Sequence, residues 1–142
     1  MGRIVLIYDR FKGSEHLLTG EKIMMVDKKY VLYAFNGDPM CFVHVLLNSL
    51  DMHAKGYAVK VVIEGSATKL IKEFHENEKA PFRDLYVQLK NRKIISAVCR
   101  ACANKMGALE AAEAEKLPIV GDMNGHPSMS KYIDDGFQVI SF

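Results

Sequence analysis

From Lys29 onward, short apolar runs rich in β-branched residues alternate with segments of helical spacing, and that alternation leaves few folds open. Lys29 to Phe35 (KYVLYAF), Tyr57 to Ile63 (YAVKVVI), Ile94 to Val98 (IISAV) and Phe137 to Phe142 (FQVISF) read as strands. Between them, Met40 to Ala54, Lys69 to Asn77, Phe82 to Asn91, a segment after Cys102 and Ser128 to Asp134 read as helices. The near-continuous apolar character of YAVKVVI suits a parallel strand covered on both faces, because only such a strand has no solvated side.

Strand–helix alternation of this kind predicts an open, mostly parallel α/β sheet with helices on both faces, flavodoxin-like in plan. Asp38 is placed to cap the first helix and Pro39 to occupy its first position. That helix is apolar over a wide arc, at Phe42, Val43, Val45, Leu46, Leu47 and Leu50, which suggests burial on two sides and favours contact with a second protomer. The small residues of Glu64-Gly65-Ser66-Ala67-Thr68 lack the spacing of a phosphate-binding loop, so Ser66 is expected to cap the next helix.

The alternation runs from Lys29 to the end of the sequence, and the α/β domain is expected to span residues 28–142, the stretch covered by the family resemblance described below. Residues 1–27 stand outside it as an N-terminal extension, with Arg3 to Tyr8 (RIVLIY) and Glu21 to Val26 (EKIMMV) as candidate partners in a β-hairpin.

Chemistry concentrates at the end of the Ile94 to Val98 strand, in Cys99-Arg100-Ala101-Cys102. A helix N-terminus carries unpaired N–H groups and partial positive charge, which favour a thiolate and lower a cysteine pKa from about 8.5. Arg100 adds a fixed cation, and in parallel sheets sites gather beyond the carboxyl ends of strands. His126, in a Gly-His-Pro-Ser loop downstream, is a candidate partner for the thiols. Cys41 reads as core, His44 as an interior or interface group, His75 as surface and the Glu110 to Lys116 segment as a solvated acidic face.

A zinc or iron centre normally needs four ligands, and the chain offers no second Cys-x-x-Cys to complete one, only Asp122 and His126 at a plausible downstream distance, so no metal and no cofactor is expected. The formal net charge of +2, from 19 basic and 17 acidic side chains, advertises neither a nucleic-acid nor a membrane surface. Apolar runs far shorter than roughly 18 residues predict no membrane span. Three cysteines and no signal-peptide pattern suit a reducing, cytoplasmic setting.

The run Val98-Cys99-Arg100-Ala101-Cys102-Ala103-Asn104-Lys105-Met106-Gly107, then Leu117-Pro118, Gly125-His126-Pro127-Ser128-Met129 and Gly136-Phe137-Gln138-Val139-Ile140, resembles the DsrE/DsrF-like family. The Lys29 to Phe35 strand and Val61-Val62-Ile63-Glu64-Gly65 fit the same pattern. The resemblance spans residues 28–142. It implies a subunit that assembles into trimeric or hexameric homo-oligomers and, in one branch, a cysteine that relays sulfur as a persulfide between donor and acceptor proteins. Those carriers have a Val-Cys pair after the corresponding strand, so the role carries over to Cys99; the second thiol departs from those single-cysteine carriers, and from its place one helical turn on Cys102 reads as a resolving thiol, with Arg100 and His126 as supporting groups. The expectation is a sulfur relay or thiol-redox protein, whether transferase or carrier. The alternative is a non-catalytic oligomeric module that binds a small ligand or a protein and uses its cysteines structurally.

Overall fold

The computed structural model describes residues 28–142 and, before them, the strands Val5–Tyr8 (β1), Glu15–Thr19 (β2) and Lys22–Val26 (β3). These three form an antiparallel meander in the order β1-β2-β3. The expected hairpin is corrected in one respect: β1 and β3 do not pair with each other, since Leu17 of β2 faces Leu6 on one side and Met24 on the other. A middle strand satisfies its backbone groups on both edges, which side-chain pattern alone does not announce. The remaining residues of the two expected strands, Arg3, Ile4 and Glu21, lie outside the described residues.

The α/β domain has five strands, Lys29–Ala34 (β4), Ala58–Ile63 (β5), Ile95–Cys99 (β6), Ile119–Val120 (β7) and Gln138–Ser141 (β8). They lie in the order β7-β6-β5-β4-β8, and every neighbouring pair is parallel. The helices are Pro39–Ala54 (α1), Thr68–Glu76 (α2), Arg83–Asn91 (α3), Arg100–Lys105 (α4), Leu109–Ala114 (α5) and Met129–Asp134 (α6).

This order dictates the layers. From β4 to β7 the chain steps in one direction across the sheet, and right-handed crossovers put every intervening helix on one face. The return from β7 to β8 runs the other way and puts α6 on the opposite face. Packing agrees. The larger core joins Leu32, Val61, Ile63 and Val98 of the sheet to Phe42, Leu46, Leu70, Phe74, Tyr86, Leu89 and Ala112 of the helices. The smaller one joins the opposite-facing Val31, Tyr33, Val62 and Ala97 to Phe137, with Met129 and Tyr132 of α6 against it. Each fully enclosed Leu, Ile or Phe removes enough apolar surface from water to contribute roughly 1.5–3 kcal/mol before entropy is counted.

Asp38 caps α1 as expected, accepting the Met40 amide hydrogen at 2.7 Å, and Pro39 opens the helix. α1 buries Phe42, Val43, Val45 and Leu46 but leaves Leu47 49% exposed. His44 is exposed and not interior. Ser66 does not cap a helix. It lies in a 3-10 turn, where its Oγ accepts the Gly37 amide hydrogen at 2.8 Å and donates to the Phe35 carbonyl. This contact clamps the β4–α1 and β5–α2 loops together, and a Cβ on Gly37 would fall 2.4 Å from the Ser66 carbonyl oxygen, so only glycine fits. Among the described residues no helix is long and apolar enough to cross a membrane.

Candidate functional site

Three strand ends meet at the carboxyl edge of the sheet. Ile63 pairs with Val98 and Cys99 with Val120, so Glu64, one residue past β5, falls beside Cys99, the last residue of β6. Past β7 the chain turns back over them. Met123 and His126 exchange backbone hydrogen bonds of 2.8 and 3.0 Å, and the Gly125 carbonyl accepts the Ala101 amide hydrogen at 3.0 Å. That last contact ties the loop to α4. Gly125 has φ +92° and an added Cβ would lie 3.2 Å from the Ala101 methyl, so the loop packs this closely only because the position is glycine.

The result is a four-residue group. Cys99 Sγ lies 3.1 Å and Cys102 Sγ 3.7 Å from the same atom, His126 Nδ1. The Cys102 amide donates to Cys99 Sγ at 3.4 Å, and a Glu64 carboxylate oxygen stands 3.9 Å from His126 Nδ1. One donor atom from each of these residues lies within 4.8 Å of all the others. A mixed S, S, N, O set of this kind is able to hold a soft divalent cation or to pass protons and sulfur between its members.

Burial decides which sulfur is open. Cys99 is completely enclosed, whereas Cys102 is half-buried and the His126 side chain is 42% exposed. Burial pushes the Cys99 thiol up to about 12, further raised by Cys102 and the Glu64 carboxylate and opposed only by the Cys102 N–H. The helix end expected beside Cys99 is present, since Cys99 caps α4 and its sulfur accepts the Cys102 N–H, but that single N–H at 3.4 Å is outweighed by loss of water around an enclosed thiol. Burial likewise pushes the Glu64 carboxyl up, with the nearby His126 opposing it.

Of the residues expected at the site, Cys99, Cys102 and His126 converge. Arg100 does not: it is exposed at the start of α4 and makes no hydrogen bond or ion pair with either sulfur among the described residues. Asp122, the other downstream candidate for a metal, is held instead by Lys131 and by the Ser128 amide. Cys41 is half-buried in α1, away from the group.

Glu64 was missed, although its signal was present. It directly follows a strand parallel to the one that ends in Cys99, and equivalent ends of adjacent parallel strands are neighbours. The Glu110 to Lys116 face hid a second surprise, since Glu115 turns inward to Tyr86, Lys90 and His75. His75 lies at the surface as expected, its side chain 41% exposed, with Nδ1 at 3.2 Å from the Glu115 carboxylate.

Across residues 31–142 the sequence matches the model of the DsrE/DsrF-like family. An uncharacterized protein of Methanocaldococcus jannaschii is 32% identical over 97 residues, covering 68% of this chain and 76% of that one. An uncharacterized protein of Archaeoglobus fulgidus is 36% identical over 52 residues, covering 37% of this chain and 85% of that one. Among solved structures, a conserved protein of unknown function from Bacteroides thetaiotaomicron superimposes with a TM-score of 0.56 over 80% of this chain and 95% of that chain, at 12% identity. That likeness shows a shared fold.

Proposed function

The chain belongs to the DsrE/DsrF-like family, and from that premise we propose that it handles sulfane sulfur or thiol-redox equivalents through Cys99 and Cys102, as a cytoplasmic homo-oligomer, trimeric or hexameric, between sulfur donor and acceptor proteins. The supporting observation is one imidazole nitrogen flanked by two sulfurs at 3.1 and 3.7 Å, of which only the farther, Cys102, is open to solvent.

The two thiols then take roles opposite to those the sequence suggests. Cys102, as thiolate, attacks the terminal sulfur of a donor persulfide; a new S–S bond forms on Cys102, the donor S–S bond breaks, and the donor leaves as a thiolate. An acceptor thiolate removes the terminal sulfur by the same exchange. With no acceptor, Cys99 passes its proton to His126 Nδ1 and attacks the Cys102 sulfur. The bond to the terminal sulfur breaks and hydrosulfide leaves. Sulfane sulfur is thereby reduced and the pair oxidised to a disulfide, which an external dithiol must reopen. Arg100, exposed beside the pair, supplies charge for an anionic donor.

The test is mass spectrometry of the reduced, metal-free protein after exposure to a persulfide donor. The expected adduct is about 32 Da per chain, one sulfur atom, located on Cys102, lost in Cys102→Ser and accumulating in Cys99→Ser for want of a resolving thiol. Wild-type protein that gains neither the extra sulfur nor the Cys99–Cys102 disulfide, about 2 Da lighter than the dithiol, overturns the reading. An adduct that survives Cys102→Ser unchanged overturns the assignment of roles.

A further inference from the structure

We propose that Glu64, Cys99, Cys102 and His126 together form a binding site for a soft divalent cation, with Zn²⁺ the best match. The donors come from the ends of β5 and β6, the first turn of α4 and the loop after β7, so folding alone assembles them. Two thiolates, an imidazole and a carboxylate supply the number and kind of ligands that a closed tetrahedral zinc site uses.

The spacing is close to what the metal needs. Zinc bonds of about 2.0 Å to nitrogen or oxygen and 2.3 Å to sulfur place ligand atoms roughly 3.3–3.8 Å apart on a tetrahedron. Here the sulfurs stand 3.1 and 3.7 Å from His126 Nδ1 and the carboxylate oxygen 3.9 Å from it, with no pair beyond 4.8 Å. Side-chain rotation of about an ångström closes the group.

Glu64 supplies the independent argument. Its side chain is only 12% exposed, and no hydrogen bond to its carboxylate is formed among the described residues. A sulfur carrier has no use for it, because a carboxylate oxygen within 4.8 Å of both sulfurs repels a thiolate. A dication reverses that relation: with both thiols deprotonated and His126 neutral, a carboxylate and two thiolates around Zn²⁺ leave a net charge of about −1 where three anions would repel. The Cys102 amide, directed at Cys99 Sγ, then serves as the outer hydrogen bond common around metal-bound thiolates. Zinc is favoured over harder ions by the sulfurs and is redox-inert toward them.

Metal occupancy and sulfur transfer use the same thiols, so zinc holds the pair reduced and closed to donors. The metal site does not require the sulfur reading. The decisive experiment strips the reduced full-length chain with a chelator and titrates it with Zn²⁺ and, as a spectroscopic probe, Co²⁺. Expected are one equivalent per chain, thiolate-to-Co²⁺ charge-transfer and tetrahedral d–d bands, about two protons released per Zn²⁺ from the two thiols, and protection of Cys102 from alkylation. Glu64→Gln is expected to weaken Zn²⁺ by more than about tenfold. Cys102→Ser, a change at a half-buried position, should cut the charge-transfer intensity by about half or more, because one of two thiolates is lost. Absence of saturable binding, a Co²⁺ spectrum without thiolate bands, or equal affinity in wild type and both variants overturns the proposal. If zinc fails to bind while stripped Cys99→Ser still takes up sulfur on Cys102, the metal inference alone falls; if zinc binds wild type and stripped Cys99→Ser takes up none, the sulfur reading alone falls.

Discussion

Two enclosed carboxylates, one at each edge of the sheet, show what a completed charge site looks like beside one that is still open. Glu115, at the end of α5 on the amino side, is 7% exposed and accepts from the Tyr86 hydroxyl at 2.7 Å and Lys90 at 3.0 Å, with His75 Nδ1 at 3.2 Å. Burial alone would raise its pKa, but these three partners outweigh it and hold the carboxyl below the usual carboxylate range. Glu64, on the carboxyl side, is nearly as enclosed, yet has one imidazole at 3.9 Å and two sulfurs nearby, and its carboxyl is pushed up. The first carboxylate stabilises the fold. The second is held in place by the fold without a partner that satisfies it, which is the usual mark of a functional position.

The comparison can be broken most sharply by removing each group in turn. Glu115→Ala leaves the Tyr86 hydroxyl and the Lys90 ammonium without their acceptor and should cost about 2–3 kcal/mol in urea unfolding, whereas Glu64→Gln in metal-free protein should stay within about 0.5 kcal/mol. Equal losses would show that the two carboxylates do the same job.

The pH profile gives a smaller but more specific effect. Because the folded-state pKa of Glu115 is depressed, its contribution is complete above the unfolded value of about 4.3 and is lost as pH falls through the folded value. Glu115→Gln should therefore flatten the acid limb of stability below about pH 4, measured as urea midpoints from neutral pH downward, while Glu64→Gln leaves that limb in place. A limb unchanged by Glu115→Gln would mean that other carboxylates carry it.

The mildest test is of the loop that completes the carboxyl edge. Gly125→Ala meets both a φ of +92° and the Ala101 methyl at 3.2 Å, and should cost about 1 kcal/mol. It should also displace His126 from the sulfurs, read as a changed imidazole NMR signal. A variant of wild-type stability and spectrum would show that the loop tolerates another path.

Much of this was legible in the residues. Runs such as YAVKVVI, punctuated by helical spacing and by the Asp38-Pro39 start, specify parallel strands and their connections because burial on both faces leaves no polar side to alternate. The thiol pair at a strand–helix junction and the His126 loop were also readable, since strand ends in such folds collect at one edge. Three things were not. The enclosure of Cys99 depends on what α4, β5 and the Gly121 to Ser128 loop bring over it, and no local pattern encodes that. The inward turn of Glu115 depends on Tyr86 and Lys90, 29 and 25 residues away. The place of β2 between β1 and β3 depends on backbone pairing with both neighbours, which no single stretch contains.

The order of apolar and polar residues, by itself, determined an α/β fold of strands alternating with helices from Lys29 onward and the edge at which its chemistry collects. Only the tertiary structure decided that Cys102 and not Cys99 is the open sulfur, and that Glu64 joins the pair and His126 within 4.8 Å. The reason is physical: periodicity fixes which face of an element is buried, whereas solvent access and a charge's neighbours are set by segments distant in the chain, through close packing that no single stretch contains.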